Sequence, residues 1–296
     1  MSRPEIQRNV KLAPYTTFGI GGPADYFCIA TSKVELTAAI RHAHAEELPW
    51  FVLGTGANIL IGDKGFRGLV IKNEADAVTI DDAALTAESG ITIAKLIELT
   101  VPKGLSGFEH YVEIPSTLGG AMWQNLHFLS YPHQETRFIE EIVQGATVLA
   151  GDEEKSVDKD YFKFGYDTSA LHGNDDVVLD VTVTLSEKLV VELEEVLAKN
   201  AEWRHAKHPP NAARMSAGSI FQKIEGVGAG RLIDRAGLKG HRIGGAEVSP
   251  QHANYILNVE HATAADVRKL IDHVQQTVEA ETGHHLEPEI SFVGEF

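Results

Sequence analysis

Polar and apolar residues alternate with two different periods near the start of this chain. In Asp25-Tyr26-Phe27-Cys28-Ile29-Ala30 the period is two, which predicts a half-buried strand over 25–30. Over 32–47 the apolar residues Val34, Leu36, Ala39, Ile40 and Ala43 recur at helical spacing and predict a helix. The run Trp50-Phe51-Val52-Leu53 predicts a short buried strand that breaks into Gly54-Thr55-Gly56-Ala57-Asn58 before Ile59-Leu60-Ile61. Gly65-Phe66-Arg67-Gly68 then turns into a further strand at 69–71.

From about 75 to 187 the pattern is that of a mixed α+β unit. Strands are predicted at 77–80, 84–88, 139–150 and 177–185, with a helix near 92–103 and a Gly/Pro-punctuated loop over 104–120. A polar helix at 190–204 ends at Lys207-His208-Pro209-Pro210, where consecutive prolines cannot continue a helix and mark a domain border. Beyond it, 211–296 predicts a helix near 229–236, a strand at 255–259 and a helix at 263–282. Thr263 is placed to cap the last helix and Gly283 to end it. The chain has no internal repeat and no low-complexity segment.

Length and charge narrow the possible partners. At 296 residues and 43% hydrophobic content, the chain suits two or three compact units. Its 26 basic against 42 acidic residues give a net charge of −16, which repels phosphate backbones and anionic bilayers at long range. Neither nucleic acid nor a membrane is an expected partner. A phosphorylated small ligand is compatible with that field, because a pocket needs only a few local cations and N–H groups. The single cysteine, Cys28, excludes a disulfide within the chain. No charged-then-apolar leader and no membrane-length apolar run are present, so a cytoplasmic location is expected.

Three glycine-rich stretches bear on a ligand. Gly54-Thr55-Gly56-Ala57-Asn58 follows an apolar strand, where small residues let N–H groups approach a pyrophosphate; a tight strand-to-strand turn uses the same residues. It lacks the spacing of a dinucleotide fingerprint opening a helix, which disfavours a Rossmann fold. Glu113-Ile114-Pro115-Ser116-Thr117-Leu118-Gly119-Gly120-Ala121 is either a second ligand loop or a helix-initiating turn capped by Ser116 or Thr117. Tyr15-Thr16-Thr17-Phe18-Gly19-Ile20-Gly21-Gly22-Pro23 is the third. Farther along, Arg214-Met215-Ser216-Ala217-Gly218-Ser219-Ile220-Phe221 offers a hydroxyl in a softened turn, and Leu286-Glu287-Pro288-Glu289-Ile290 a carboxylate entering a strand. Taken singly, Ser219 reads as a turn hydroxyl and Glu289 as a strand-edge charge.

In order, these segments and Phe164-Gly165-Tyr166, Ala229-Gly230-Arg231-Leu232-Ile233-Asp234, Gly237-Leu238-Lys239-Gly240 and Ile243-Gly244-Gly245-Ala246 resemble the UDP-N-acetylenolpyruvoylglucosamine reductase family of flavoenzymes across nearly the whole chain. The resemblance implies an α+β fold: a two-lobed FAD-binding domain of the PCMH/vanillyl-alcohol-oxidase type, with lobes 1–72 and 73–187, and a C-terminal α+β substrate-binding domain at 188–296. It implies FAD and NADPH as cofactors, a nucleotide-sugar substrate, a product that is a peptidoglycan precursor, and a monomer. FAD contacts would come from Gly54, Thr55, Gly56, Ala57, Asn58, Ile114, Pro115, Ser116, Thr117, Gly119, Gly120 and Asn125. Ser219 would donate a proton and Glu289 polarise the enolpyruvyl unit, with Lys207, His252 and Tyr166 binding substrate. The His284-His285 pair and the other histidines have no metal spacing and read as surface, so no metal is expected.

The chain departs from the family pattern at three places. Family members continue Phe-Gly-Tyr with an arginine that stabilises the enol intermediate, where this chain has Asp167. Loss of one such preorganised donor typically costs about 10²–10³ in rate. Arg137, Arg214 and Arg231 are candidates to replace it; otherwise the reductase step is impaired or altered. Leu126-His127-Phe128-Leu129-Ser130 replaces a small Gly/Ala-rich continuation after Asn125, adding bulk near the expected flavin. Gln222-Lys223-Ile224 replaces a Lys-Asn-Pro run, removing a substrate-contact asparagine at 223. Alternatives to the reductase are therefore a flavin- or nucleotide-sugar-binding protein without turnover and an FAD oxidase of the same fold.

Overall fold

The computed structural model describes residues 4–209, 215–224 and 226–296. Residue contacts fall into two compact units. Unit one holds the described residues 4–6 with 28–54 and 70–204; unit two holds 7–27, 55–69 and the described part of 205–296. This grouping by contact cuts across the 1–72 lobe expected from sequence, since 7–27 and 55–69 make their contacts with C-terminal residues.

Unit one is built on a five-stranded antiparallel sheet in the order Glu153–Asp158, Val143–Ala150, Val177–Thr184, Ala84–Glu88, Val78–Asp81. Its centre is the near-continuous apolar run 177–185, whose Val178, Leu179, Val181 and Val183 are buried. Helix α1 (Lys33–Ala45) starts at Ser32, whose hydroxyl accepts the Glu35 N–H, and Lys33 reaches Asp180 on the sheet at 2.7 Å. Helix α2 (Ile93–Thr100) buries Ile93, Leu96, Ile97 and Thr100, the i, i+3, i+4, i+7 stripe of an amphipathic helix. Helix α3 (Leu118–Gln124) buries Leu118, Ala121 and Met122. These stripes meet Phe108, Val148, Phe162 and Val181 in one core, where each fully buried large side chain contributes about 1.5–3 kcal/mol. Helix α4 (Val190–Lys207) runs three residues past the expected end at 204, to the residue before His208-Pro209.

Unit two has the second core, formed by Phe18, Ile20, Leu60, Ile220, Phe221, Leu232, Ile233, Val267, Leu270 and Ile271 among others. Helix α5 (Ala229–Arg235) and helix α6 (Ala264–Thr282) pack on a small antiparallel sheet, Arg242–Ile243, Ala246–Val248, Ile256–Asn258. Helix α6 is closed as the sequence predicts. Thr263 and Asp266 form a reciprocal capping box, and Gly283 takes φ +70° just past the end. The donors of Thr263 hold the Asp266 carboxyl below its ordinary range. Ile59–Ile61 pairs in parallel with Ser291–Val293, and Gln7–Lys11 lies antiparallel to the start of Pro23–Ala30.

Candidate active site

In unit two, backbone pairing places Ser219 and Glu289 on neighbouring segments. The Ile220 carbonyl accepts the Glu289 N–H at 2.8 Å, the Glu287 carbonyl accepts the Gln222 N–H at 2.9 Å, and Phe221 bridges Pro288. On its other edge Ser219 bridges Tyr255, and the Ile220 N–H donates to the Asn254 carbonyl at 2.8 Å. The Asn254 side chain locks this register, accepting the Phe221 N–H at 3.0 Å and donating to the Phe221 carbonyl at 2.9 Å. Gly218, at φ +78°, lets the chain turn into this pairing immediately before Ser219. Both Ser219 and Glu289 are half-buried.

The 252–255 turn adds histidines to this group. Ser249 Oγ accepts the N–H groups of Gln251 and His252, and the Tyr255 N–H returns to the His252 carbonyl. The His252 ring stacks on His208 at 5.4 Å and meets Tyr255 edge-on at 4.8 Å. The exposed Lys207 precedes His208 at the end of α4, so the segment carrying Lys207 reaches the same turn. Burial, with a smaller effect from the Lys239 charge, lowers the His252 pKa, which keeps the ring neutral at pH 7.

The 55–58 turn belongs to the same unit. The Thr17 N–H donates to the Gly56 carbonyl at 3.2 Å, and its hydroxyl to the Ser216 carbonyl at 2.7 Å. The N-terminal glycine-rich stretch is thus a strut between the turn and the serine tract. Asn58 faces the Glu289 strand, its carbonyl accepting the Ser291 N–H at 3.0 Å and its amide lying 3.5 Å from the Glu289 carbonyl. Gly56 has φ +66°, and a Cβ there would stand 2.6 Å from the Tyr15 carbonyl oxygen. Among the described residues, Gly56 and Asn58 contribute carbonyls to these bonds, while the N–H groups of Gly56, Ala57 and Asn58 make no backbone hydrogen bond. A left-handed glycine followed by two residues whose N–H groups make no backbone hydrogen bond fits an anionic ligand such as the FAD pyrophosphate.

In unit one, the 114–121 segment is a helix start. Thr117 is the N-cap of α3, its hydroxyl accepting the Gly120 N–H at 3.1 Å. The Leu118 N–H goes to the Ile91 carbonyl, that of Gly119 to Ser89, of Ser116 to Ile114 and of Ile114 to Tyr111. These N–H groups hold the loop, so any ligand contact there falls to the Thr117 N–H and to side chains. Gly54 abuts the cap, since a Cβ on it would lie 2.8 Å from Thr117 Oγ1. Pro115, like Thr55 in unit two, makes further contacts of its own.

Asn125 ends α3 in the left-handed conformation, φ 48°, and is fully buried. Its amide donates to the Gly165 carbonyl at 3.0 Å and accepts the Glu140 N–H at 3.4 Å. That bond anchors the turn Gly165–Thr168, in which Tyr166 is 54% exposed and Asp167 has φ 55°. Of the three expected substitutes for an arginine, Arg137 is held by Glu135 at 3.0 Å and Glu141 at 3.3 Å. Arg231 lies exposed on α5, and Arg214 falls outside the described residues. Sequence reasoning missed His208 and Tyr255 in the serine group; the only signal was their nearness to Lys207 and His252.

Residues 24–155 match the FAD binding domain family, and residues 209–293 match the family of the UDP-N-acetylenolpyruvoylglucosamine reductase C-terminal domain. The chain is 36% identical over 293 residues to the UDP-N-acetylenolpyruvoylglucosamine reductase of Streptococcus uberis, covering 98% of this chain and 94% of the relative. It is 36% identical, with the same coverage, to that of Lactiplantibacillus plantarum. Among solved structures, the UDP-N-acetylenolpyruvylglucosamine reductase of Thermus caldophilus superposes with a TM-score of 0.81 at 30% identity, over 99% of this chain and 100% of that one. The fold is the α+β class expected, a two-lobed FAD-binding domain of the PCMH/vanillyl-alcohol-oxidase type with a C-terminal α+β domain. With both characteristic domains matched in order and relatives 36% identical over 98% of its length, the chain belongs to the UDP-N-acetylenolpyruvoylglucosamine reductase family.

Proposed function

We propose that the protein is an FAD-dependent reductase that uses NADPH to convert UDP-N-acetylglucosamine enolpyruvate into UDP-N-acetylmuramate. The observation that carries this reading is the backbone register joining Ser219 to Tyr255 on one side and Ile220 to Glu289 on the other. Bound FAD supplies the hydride chemistry between NADPH and the enolpyruvyl C3. What is left to this chain is to deliver a proton to C2 and to contain the charge that builds on the carboxylated carbon. Ser219 Oγ is the donor, held at a fixed backbone position by the Asn254 bonds. Glu289 polarises the enolpyruvyl group from the adjacent segment. Neutral His252 and the Lys207 ammonium bind the nucleotide sugar, and Tyr166 offers an exposed ring to it.

FAD is held by the 54–58 turn, the Thr117 cap region and Asn125, with lobes at 1–72 and 73–187 and substrate binding at 188–296. A monomer in the cytoplasm fits this reading; no helix among the described residues is long and apolar enough to cross a membrane. Purified protein is expected to carry yellow flavin absorption and to consume NADPH only when the enolpyruvyl substrate is present. Flavin binding without substrate-dependent turnover would refute the reductase reading. Ser219→Ala should leave flavin reduction by NADPH in place while slowing reoxidation by substrate about 10²–10⁴-fold, the usual range for a lost general acid.

A further inference from the structure

The serine tract of unit two is held on both sides of Ser219. After it, the Ile220 N–H donates to the Asn254 carbonyl, and the Asn254 amide grips the Phe221 backbone with both its oxygen and its nitrogen. Before it stands Gly218, with φ +78° and nothing within 4 Å of where a Cβ would be, so the chain can pivot there. The pivot is bounded on its far side by Ser216. Ser216 Oγ accepts the Gly218 N–H at 3.3 Å, and the Ser216 carbonyl accepts the Thr17 hydroxyl at 2.7 Å.

Thr17 serves two segments with two donors. Its N–H donates to the Gly56 carbonyl at 3.2 Å, while its hydroxyl oxygen lies 3.3 Å from that carbonyl and 2.7 Å from the Ser216 carbonyl. A hydroxyl has one proton, and 2.7 Å is the ordinary length of an O–H···O bond, so the proton goes to Ser216 and the N–H keeps Gly56. The β-branch of threonine restricts χ1 and holds the hydroxyl in that direction. Thr17, Gly56, Ser216 and Ser219 all belong to unit two.

A serine hydroxyl is a weak acid, so proton delivery depends on where Oγ stands, and a misplacement of about 1 Å can cost about 10²-fold in rate. We propose that Thr17 is a positioning residue for the proton donor: its hydroxyl fixes Ser216, and with it the approach to Ser219, against the 55–58 turn that holds the flavin pyrophosphate. The inference rests on the reductase reading. Ser219 is thereby registered on the cofactor's own turn as well as on the Asn254 segment. The test is stopped-flow on flavin-loaded protein, with reduction by NADPH and reoxidation by UDP-N-acetylglucosamine enolpyruvate read separately. It compares Thr17→Ala and Thr17→Val, which lack the hydroxyl, with Thr17→Ser, which keeps it, each with and without Ser219→Ala.

Thr17→Ala and Thr17→Val should slow reoxidation by about 10–100-fold while reduction falls far less, and Thr17→Ser should recover most of that loss. In the Ser219→Ala background Thr17→Ala should cost little more, because it acts through the serine. Hydrogen exchange in the 216–221 peptide should be about 5–10-fold faster in Thr17→Ala than in Thr17→Ser, the loosening expected from one lost hydrogen bond. Reoxidation of Thr17→Ala at the unmodified rate overturns the proposal, as does an equal loss with and without Ser219→Ala. A Thr17→Ala protein that fails to fold or to keep its flavin places the hydroxyl's task in the core or the turn, and overturns it too. Unmodified protein whose reduced flavin is not reoxidised by substrate overturns the reductase reading instead; the exchange comparison, which needs no turnover, then still decides whether Thr17 holds the serine tract.

Discussion

Asn125 carries two structural tasks on one side chain. Its backbone sits in the left-handed region, which asparagine tolerates better than most residues, and its buried amide ties the 165–168 turn to the end of α3. Asn125→Gly keeps the backbone but leaves the Gly165 carbonyl and the Glu140 N–H without their partner, and should lower stability by about 1–3 kcal/mol. A urea midpoint shift at unchanged slope is the readout; an unchanged midpoint would remove the amide from the account. Cys28 is chemically quiet for a related reason. Burial, with help from the Glu35 carboxylate, pushes its thiol up to about 11. Iodoacetamide should label it only after denaturant is added, and rapid labelling of the native protein would contradict that burial. His252→Leu should raise KM more than it lowers kcat, while His252→Gln, which keeps a hydrogen-bonding edge, should do so less.

Among the elements, the 54–58 turn is the least tolerant of change. Gly56→Ala would force a side chain into φ +66° and against backbone atoms at 2.6 and 2.9 Å. A loss of at least about 1 kcal/mol is expected, with weaker flavin retention on gel filtration. That turn was legible in the sequence because only small residues fit it; helix α6 was legible because Thr263 and Gly283 bracket an apolar stripe. The strand Glu153–Asp158 was not, since Val157 is its only apolar residue and it sits at the sheet edge with both faces wet. The hairpin His127–Ser130 with Glu135–Phe138 was also missed, while the capped start of the short helix α3 stood only as one of two alternatives, because its paired glycines suit a ligand loop as well. Ser219 and Glu289 were found as residue types in an ordered series. The pairing of the segments that carry them was invisible, because it depends on backbone bonds between stretches far apart in the chain.

For the molecule as a whole, acid is the expected weakness. His110, His172 and His252 all have pKa values lowered, each chiefly by burial. Above the unfolded imidazole value of about 6.5 both states are neutral and these groups add nothing to the pH slope. Below it the unfolded chain takes up protons that the folded rings refuse, so stability falls as pH falls through that value. Urea midpoints should therefore drop between neutral and mildly acid pH, and a midpoint that rises would contradict the burial of these rings.

The strut from Thr17 to Ser216 and the bond from Asn258 to the Phe18 carbonyl join residues 199 and 240 positions apart. On a ribosome making about 5–20 residues per second, the N-terminal half of that core emerges roughly 10–50 s before its partners exist. Unit one, whose sheet residues are all synthesised by Thr184, has its strands in hand during that interval. Unit two does not, and Phe18, Ile20 and Leu60 must wait exposed until the last strand, Ser291–Val293, has been made. Chaperone dependence during synthesis should consequently track these early apolar residues, and a circular permutant that brings 7–69 behind 205–296 should fold faster than the natural order.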